Sequence, residues 1–331
     1  MKVSQQLKDA STRYFSFLLV VTISVTSLAF VVRAASSTVT NAPHWGETGN
    51  IDTVAVESDH VPFPGSLWLK SVALETPYVA PTGQAYSSPY EAILEGNPSR
   101  HLVNNFNCYI NSFLFPSSVA ASVLDIFGPN LGHYVLCYLR NFLAAMVIYY
   151  GTACIFHYHC YIHPRSKEIF KDRIRPSTEI ILDQIQLAQL SMFLYVTLPV
   201  FSDWLIEEGY TKTYYTVQDI GGWKMYVLWL GVYMTLVEIG IYWMHRTLHT
   251  NKILYRYVHM MHHKYKTPEM LTPWASIAFN PLDGILQASP YVFWLIFVPC
   301  HYFTHVGLLF FTAVWATYIH DSMDWNVDPI M

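Results

Sequence analysis

Residues 284–320 run for 37 positions without a formal charge. A helix rises about 1.5 Å per residue, and about 20 residues cross a bilayer core, so this stretch is too long for one crossing. Pro299, Cys300 and His301 lie near its middle, where a helix breaks. The stretch therefore predicts two helices forming a hairpin. Residues 141–162 and 184–202 are uncharged as well, and residues 225–244 are interrupted only by Glu238. Each has close to the length of one span. Charged residues make up 13% of the chain and hydrophobic ones 53%, whereas soluble domains carry roughly 25% charged residues. The pattern predicts an all-α integral membrane protein of about four transmembrane helices in two hairpins.

The N-terminal part reads differently. In residues 1–33, Lys2, Lys8 and Arg13 precede an apolar stretch that ends at Arg33 and small residues, the layout of a signal peptide or a retained signal anchor. The stretch is long for a signal core, which favours an anchor helix. Residues 34–133 are expected to form a poorly ordered, proline-containing arm and lead-in, with the membrane domain occupying 134–331. The net charge is −4 and no basic run is interleaved with aromatics, so nucleic acid is not an expected partner. Five cysteines without a CxxC spacing read as buried reduced thiols.

Positive charge sets the expected topology. Arg165, Lys167, Lys171, Arg173 and Arg175 follow the first span, and Arg246, Lys252, Arg256, Lys264 and Lys266 follow the third. The positive-inside rule puts both loops in the cytosol. The 284–320 hairpin then leaves and rejoins that face, which returns His320 to the side of His245 and His263.

Five histidines fall in the third-span region: His245 and His249 in HRTLH, then His259, His262 and His263 in HMMHH. Positions i and i+4, or i, i+3 and i+4, share one helix face, so each run aims imidazoles in one direction. Imidazole suits iron, zinc, copper and nickel. Arg246 follows His245, so the HExxH protease motif is absent. Many histidines with few carboxylates suit a redox-active iron pair. His157, His159 and His163 read as membrane-interface residues, and His301 and His305 as polar turn residues of the hairpin. Glu238, seven positions before His245 on nearly the same face, reads as a packing residue or a support to the cluster.

At these residues the chain resembles the sterol desaturase branch of the fatty acid hydroxylase superfamily, most closely the plant and algal sterol C-5 desaturases. The resemblance covers about residues 139–331 and is carried by YLRNF (138–142), WLIEEGYTK (204–212), EIGIYWMHRTLH (238–249), HHKYKTP (262–268), AFNPLDGILQASPYV (278–292), THVGLLF (304–310) and YIHD (318–321). It implies a multi-pass enzyme of the endoplasmic reticulum membrane with a histidine-rich metal-binding cap on the cytosolic face. That enzyme would introduce the 5(6) double bond of a Δ7-sterol in sterol biosynthesis. It would use dioxygen, a di-iron centre, and electrons from NADH or NADPH delivered by a reductase and cytochrome b5. Carried over by position, His245 and His249 form the first box, His259, His262 and His263 the second, and His320 begins an HDxxH element. In that element Asp324 stands where the family has histidine, and it can offer an oxygen ligand. The family continues into a GxxYHTIHH box that is absent from the sequence up to Met331. The expectation is therefore a desaturase that is incomplete as written or inactive. The alternatives are a non-catalytic membrane homologue that binds sterol or a partner, a sterol C-4 methyl oxidase, or a lipid hydroxylase.

Overall fold

The computed structural model describes residues 77–95, 102–164, 166–267 and 269–320. The expected anchor at 1–33, the arm up to residue 76 and Asp324 lie outside the described residues.

Order begins earlier than the sequence suggests. Strands Tyr78–Val79 and Ala85–Tyr86 pair antiparallel, and helices α1 (Pro89–Glu95) and α2 (Leu102–Leu114) follow. These residues were expected in a poorly ordered lead-in because prolines are scattered among them. The prolines sit where a helix tolerates them. Pro89 opens α1, and Pro116 precedes α3 (Ser117–His157). Tyr90, Ile93, Cys108, Leu124 and Leu136 bury together, and the Tyr90 hydroxyl donates to the Phe115 carbonyl at 2.8 Å. Burial of that apolar surface orders a segment whose composition alone suggests a linker.

Three helical stretches among the described residues are long and apolar enough to cross a membrane: Ser117–Ile162, Thr178–Glu207 and Trp223–Thr250. The first is 46 residues, more than twice what a bilayer core needs, and it is bent where Gly128 takes φ 73° before Pro129. Glycine tolerates that conformation, and proline then starts the next helical segment. The second comprises α4 (Thr178–Tyr195) and α5 (Thr197–Glu207). Ser177 caps α4 by accepting from the Ile180 amide at 3.3 Å. The third is α6 (Trp223–Thr250).

The 284–320 stretch breaks where expected. It forms α7 (Pro281–Phe293) and α8 (Tyr302–Tyr318), separated by a short turn and the two-residue strand Cys300–His301. That strand pairs in parallel with Thr213–Tyr214, in the connection between α5 and α6, so the hairpin turn lies at the end of the bundle where α5 finishes. His301 stays in this turn and donates to the Tyr215 carbonyl at 2.8 Å. His305, expected there too, is instead fully buried in α8, 2.9 Å from the Ser202 hydroxyl and 3.3 Å from that of Tyr233. The turn ends one residue before α8, which carries His305 into the interior.

A buried polar layer ties α2, α3 and α5 together, and it joins two of the sequence motifs named above. Arg140 donates to Asp203 at 2.7 Å and to Asn107 at 2.8 Å; Asn107 donates to Glu207 at 2.6 Å; His133 lies 2.9 Å from the same carboxylate. Cys137 Sγ approaches His133 at 3.7 Å. All five cysteines are described, and none forms a disulfide.

Helices α6 and α7 cross closely at Gly240, where a Cβ would lie 2.8 Å from Pro290 Cβ. Gly240→Ala is therefore expected to push the helices apart at a cost of about 1–3 kcal/mol, read as a lower unfolding temperature of the detergent-solubilised chain. An unchanged melting curve would contradict this packing.

Candidate metal centre

The last turns of α6 carry His245 and His249, whose Nε2 atoms are 3.0 Å apart. The helix stops at Asn251, which accepts from the Ile253 and Leu254 amides at 3.0 and 3.1 Å and so starts the next turn. The second box does not continue as an α-helix. Tyr255–His259 is a π turn and His262–Tyr265 a 3-10 turn, irregularities that recur at functional sites. The i, i+4 pair nevertheless converges: His263 Nε2 is 3.1 Å from His259 Nε2 and 3.3 Å from His249 Nε2, and His259 Nε2 is 3.1 Å from His249 Nε2. The segment is held from α4, where Asp183 accepts from Lys264 and, at 2.6 Å, from the Tyr265 hydroxyl.

Hydrogen bonds behind the rings decide what these nitrogens are. His259 Nδ1 sits 3.0 and 3.1 Å from the two oxygens of Asp283, with both side chains fully buried. His245 Nδ1 sits 2.7 Å from Gln287 Oε1. Acceptors on Nδ1 fix its proton, so the Nε2 atoms of both rings carry bare lone pairs. Burial, reinforced by neighbouring imidazoles, pushes His259 down to about 4 and His262 down to about 3, and lowers His263 for the same reasons. The rings are neutral near pH 7, as metal ligation requires. The Nε2 atoms of His245, His249 and His259 thus converge, with that of His263 beside the last two, and those of His245 and His259 are bare lone pairs. Metal–imidazole bonds of about 2.0–2.1 Å place neighbouring ligand nitrogens roughly 3.0–3.4 Å apart, which matches the spacings found. The donor set fits a metal ion.

His262 and His320 lie beside this group. The ring of His262 is 6.3 Å from that of His245 and 6.4 Å from that of His320. His320 donates from Nδ1 to the Ala316 carbonyl at 2.6 Å, which leaves its Nε2 bare as well. The stretch NPLDGILQ does not reveal locally that Asp283 and Gln287 face histidines. Their i, i+4 spacing in NPLDGILQ was the available signal, but what they face is 24 and 42 residues away.

A groove of about 460 Å³ opens along α6, lined by Glu238, Ile241, Tyr242, His245, Arg246 and His249. Glu238 lines this groove on the histidine face of α6.

The family model for fatty acid hydroxylases matches residues 230–331, which contain all six histidines above. The chain is 42% identical over 204 residues to a Delta(7)-sterol-C5(6)-desaturase of Nicotiana tabacum, covering 62% of this chain and 74% of that protein. It is 40% identical over 201 residues to a putative Delta(7)-sterol-C5(6)-desaturase 2 of Arabidopsis thaliana, covering 61% and 71%. It is 33% identical over 192 residues to the lathosterol oxidase of Rattus norvegicus, covering 57% and 60%. No solved structure matches. By these similarities the chain belongs to the Delta(7)-sterol C5(6)-desaturase family of the fatty acid hydroxylase superfamily.

Proposed function

We propose that the protein is a membrane-bound sterol C-5(6) desaturase of sterol biosynthesis. The observation that carries this reading is the convergence of the Nε2 atoms of His245, His249 and His259, with that of His263 3.1 and 3.3 Å from the last two, and with partners on Nδ1 leaving the Nε2 atoms of His245 and His259 bare. His245, His249 and His259 would hold one iron of a pair, with His263 as a further ligand beside the last two. His262 and His320, with Asp324, are the candidates for the second. Bound iron supplies the activation of dioxygen that an unactivated C–H bond needs and that side chains lack.

The residues around the metal do the rest. Ile241 and Tyr242 offer an apolar wall to a flat sterol beside His245, and α6 places that wall within the membrane-crossing stretch. The sterol loses one hydrogen each from C-5 and C-6. Dioxygen takes up these two hydrogens, two electrons and two further protons, and leaves as two waters. The electrons come from NADH or NADPH through a reductase and cytochrome b5. The basic residues from Arg246 to Lys266 support a cytosolic position for the boxes, on a protein of the endoplasmic reticulum membrane. On this reading α7 and α8 form the fourth membrane element, a hairpin that brings His320 back to the boxes, and residues 1–33 are a signal peptide or signal anchor.

The test is expression of the native transcript in a yeast strain that lacks the C-5 step. The expected result is accumulation of 5,7-diene sterols. A chain that inserts in normal amounts and leaves only Δ7-sterols would overturn the reading, and would favour a non-catalytic sterol-binding role.

A further inference from the structure

We propose that Asp283 and Gln287 act as a single tautomer clamp, which sets one histidine from each box for metal binding. This rests on the reading that His245 and His259 are ligands. The two residues are one turn apart on α7, which Asn280 caps from its side chain at 3.0 Å to the Leu282 amide. The Asn280 amide also donates to the Tyr257 carbonyl at 3.1 Å, which fixes the start of α7 against the second box. Gly240 and Pro290 fix the same helix against the first. Helix α7 is thereby registered to both boxes at once.

The polarity of the clamp follows from one carboxylate. Asp283 can only accept while ionised. It accepts from His259 Nδ1 at 3.0 Å and from Gln287 Nε2 at 2.8 Å. The second contact turns the Gln287 amide so that its oxygen, not its nitrogen, faces His245 Nδ1 at 2.7 Å. An amide oxygen there demands a proton on Nδ1, so His245 presents Nε2 as a lone pair. With Gln287 reversed, His245 would keep its proton on Nε2 and could not ligate. Asp283 thus acts on His259 directly and on His245 through an amide relay. It also lies 3.7 Å from His262 Nδ1. Its fully buried negative charge is offset when a cation sits among the Nε2 atoms of His245, His249 and His259. Asp283 and Gln287 are positioning residues, since neither faces the point where the Nε2 atoms meet.

The experiment is a titration of the detergent-solubilised, metal-free chain with cobalt(II) and with iron(II). It is read by visible absorption of the cobalt form and by chelator competition. Asp283→Ala and Gln287→Ala are expected to weaken metal binding about 10–100-fold and to shift the cobalt spectrum. Asp283→Asn keeps one oxygen, which can accept from both donors as Asp283 Oδ1 does, and is expected to recover part of the loss. Ser289→Ala, on the same helix, is expected to bind as the unaltered chain does. Gln287 is partly exposed, so its variant keeps the test alive if Asp283→Ala does not fold. Failure of the unaltered chain to bind either metal would sink the metal reading and the clamp together. Normal binding by the unaltered chain with equal binding by Asp283→Ala or Gln287→Ala would sink the clamp alone. So would a loss in Asp283→Asn as large as in Asp283→Ala.

Discussion

His249→Ala is expected to abolish sterol desaturation while leaving the protein folded and inserted. Its Nε2 lies within 3.0, 3.1 and 3.3 Å of those of His245, His259 and His263, so it is the atom that all the others face. Removing it takes out a ligand outright, and the loss of metal affinity should exceed the ~10–100-fold that follows from losing a supporting partner. The side chain is exposed and leaves no buried group without a partner. Its removal is therefore expected to change the stability of the metal-free chain by no more than about 0.5 kcal/mol. Product sterols in the yeast strain and iron content per chain are the measurements. Activity near that of the unaltered protein would remove His249 from the centre. His259→Ala would be a poorer test, because it strands the buried Asp283 carboxylate and mixes folding with ligation.

Asp203→Ala is expected to be the most damaging change away from the histidines. Arg140 and Asp203 are both buried, and their 2.7 Å contact anchors a layer that also includes Asn107, Glu207 and His133. Leaving the guanidinium without its carboxylate should cost about 3–5 kcal/mol, because the uncompensated charge stays out of water. Replacing Arg140 and Asp203 together by leucine removes both charges and is expected to cost much less. Expression level and unfolding temperature in detergent separate the cases. If the single and double variants fall equally, the pair is not held together by charge compensation. Because the hydrogen bonds of the layer involve none of the box histidines, iron bound per folded chain is expected to stay unchanged in both.

The parts of this molecule that could be read from sequence are those fixed by local spacing. The break at Pro299–His301 follows from the length of an uncharged run and one proline, and it stands where the chain leaves α7 for the strand at Cys300. The pairing of His245 with His249 follows from one helical turn. What stayed hidden depends on contacts distant in sequence. Nothing near Gln287 indicates that it faces a histidine 42 positions earlier. The π and 3-10 turns of the second box also escape a helical reading, because hydrophobic spacing there resembles an ordinary amphipathic helix while Asn251 and Asn280 dictate where the chain turns. The order of residues 77–95 and 102–133 was hidden for the opposite reason. Their prolines look like linker composition until Tyr90 and Leu124 find the same core.

The groove along α6 has a kinetic consequence. Its wall of Ile241 and Tyr242 belongs to a helix that is, among the described residues, mostly uncovered by protein along its apolar stretch. A substrate dissolved among acyl chains can therefore reach His245 by lateral diffusion within the leaflet, without first crossing the aqueous phase. Turnover will then scale with the mole fraction of substrate in the surrounding lipid, and dilution with inert phospholipid at constant bulk concentration will slow the enzyme.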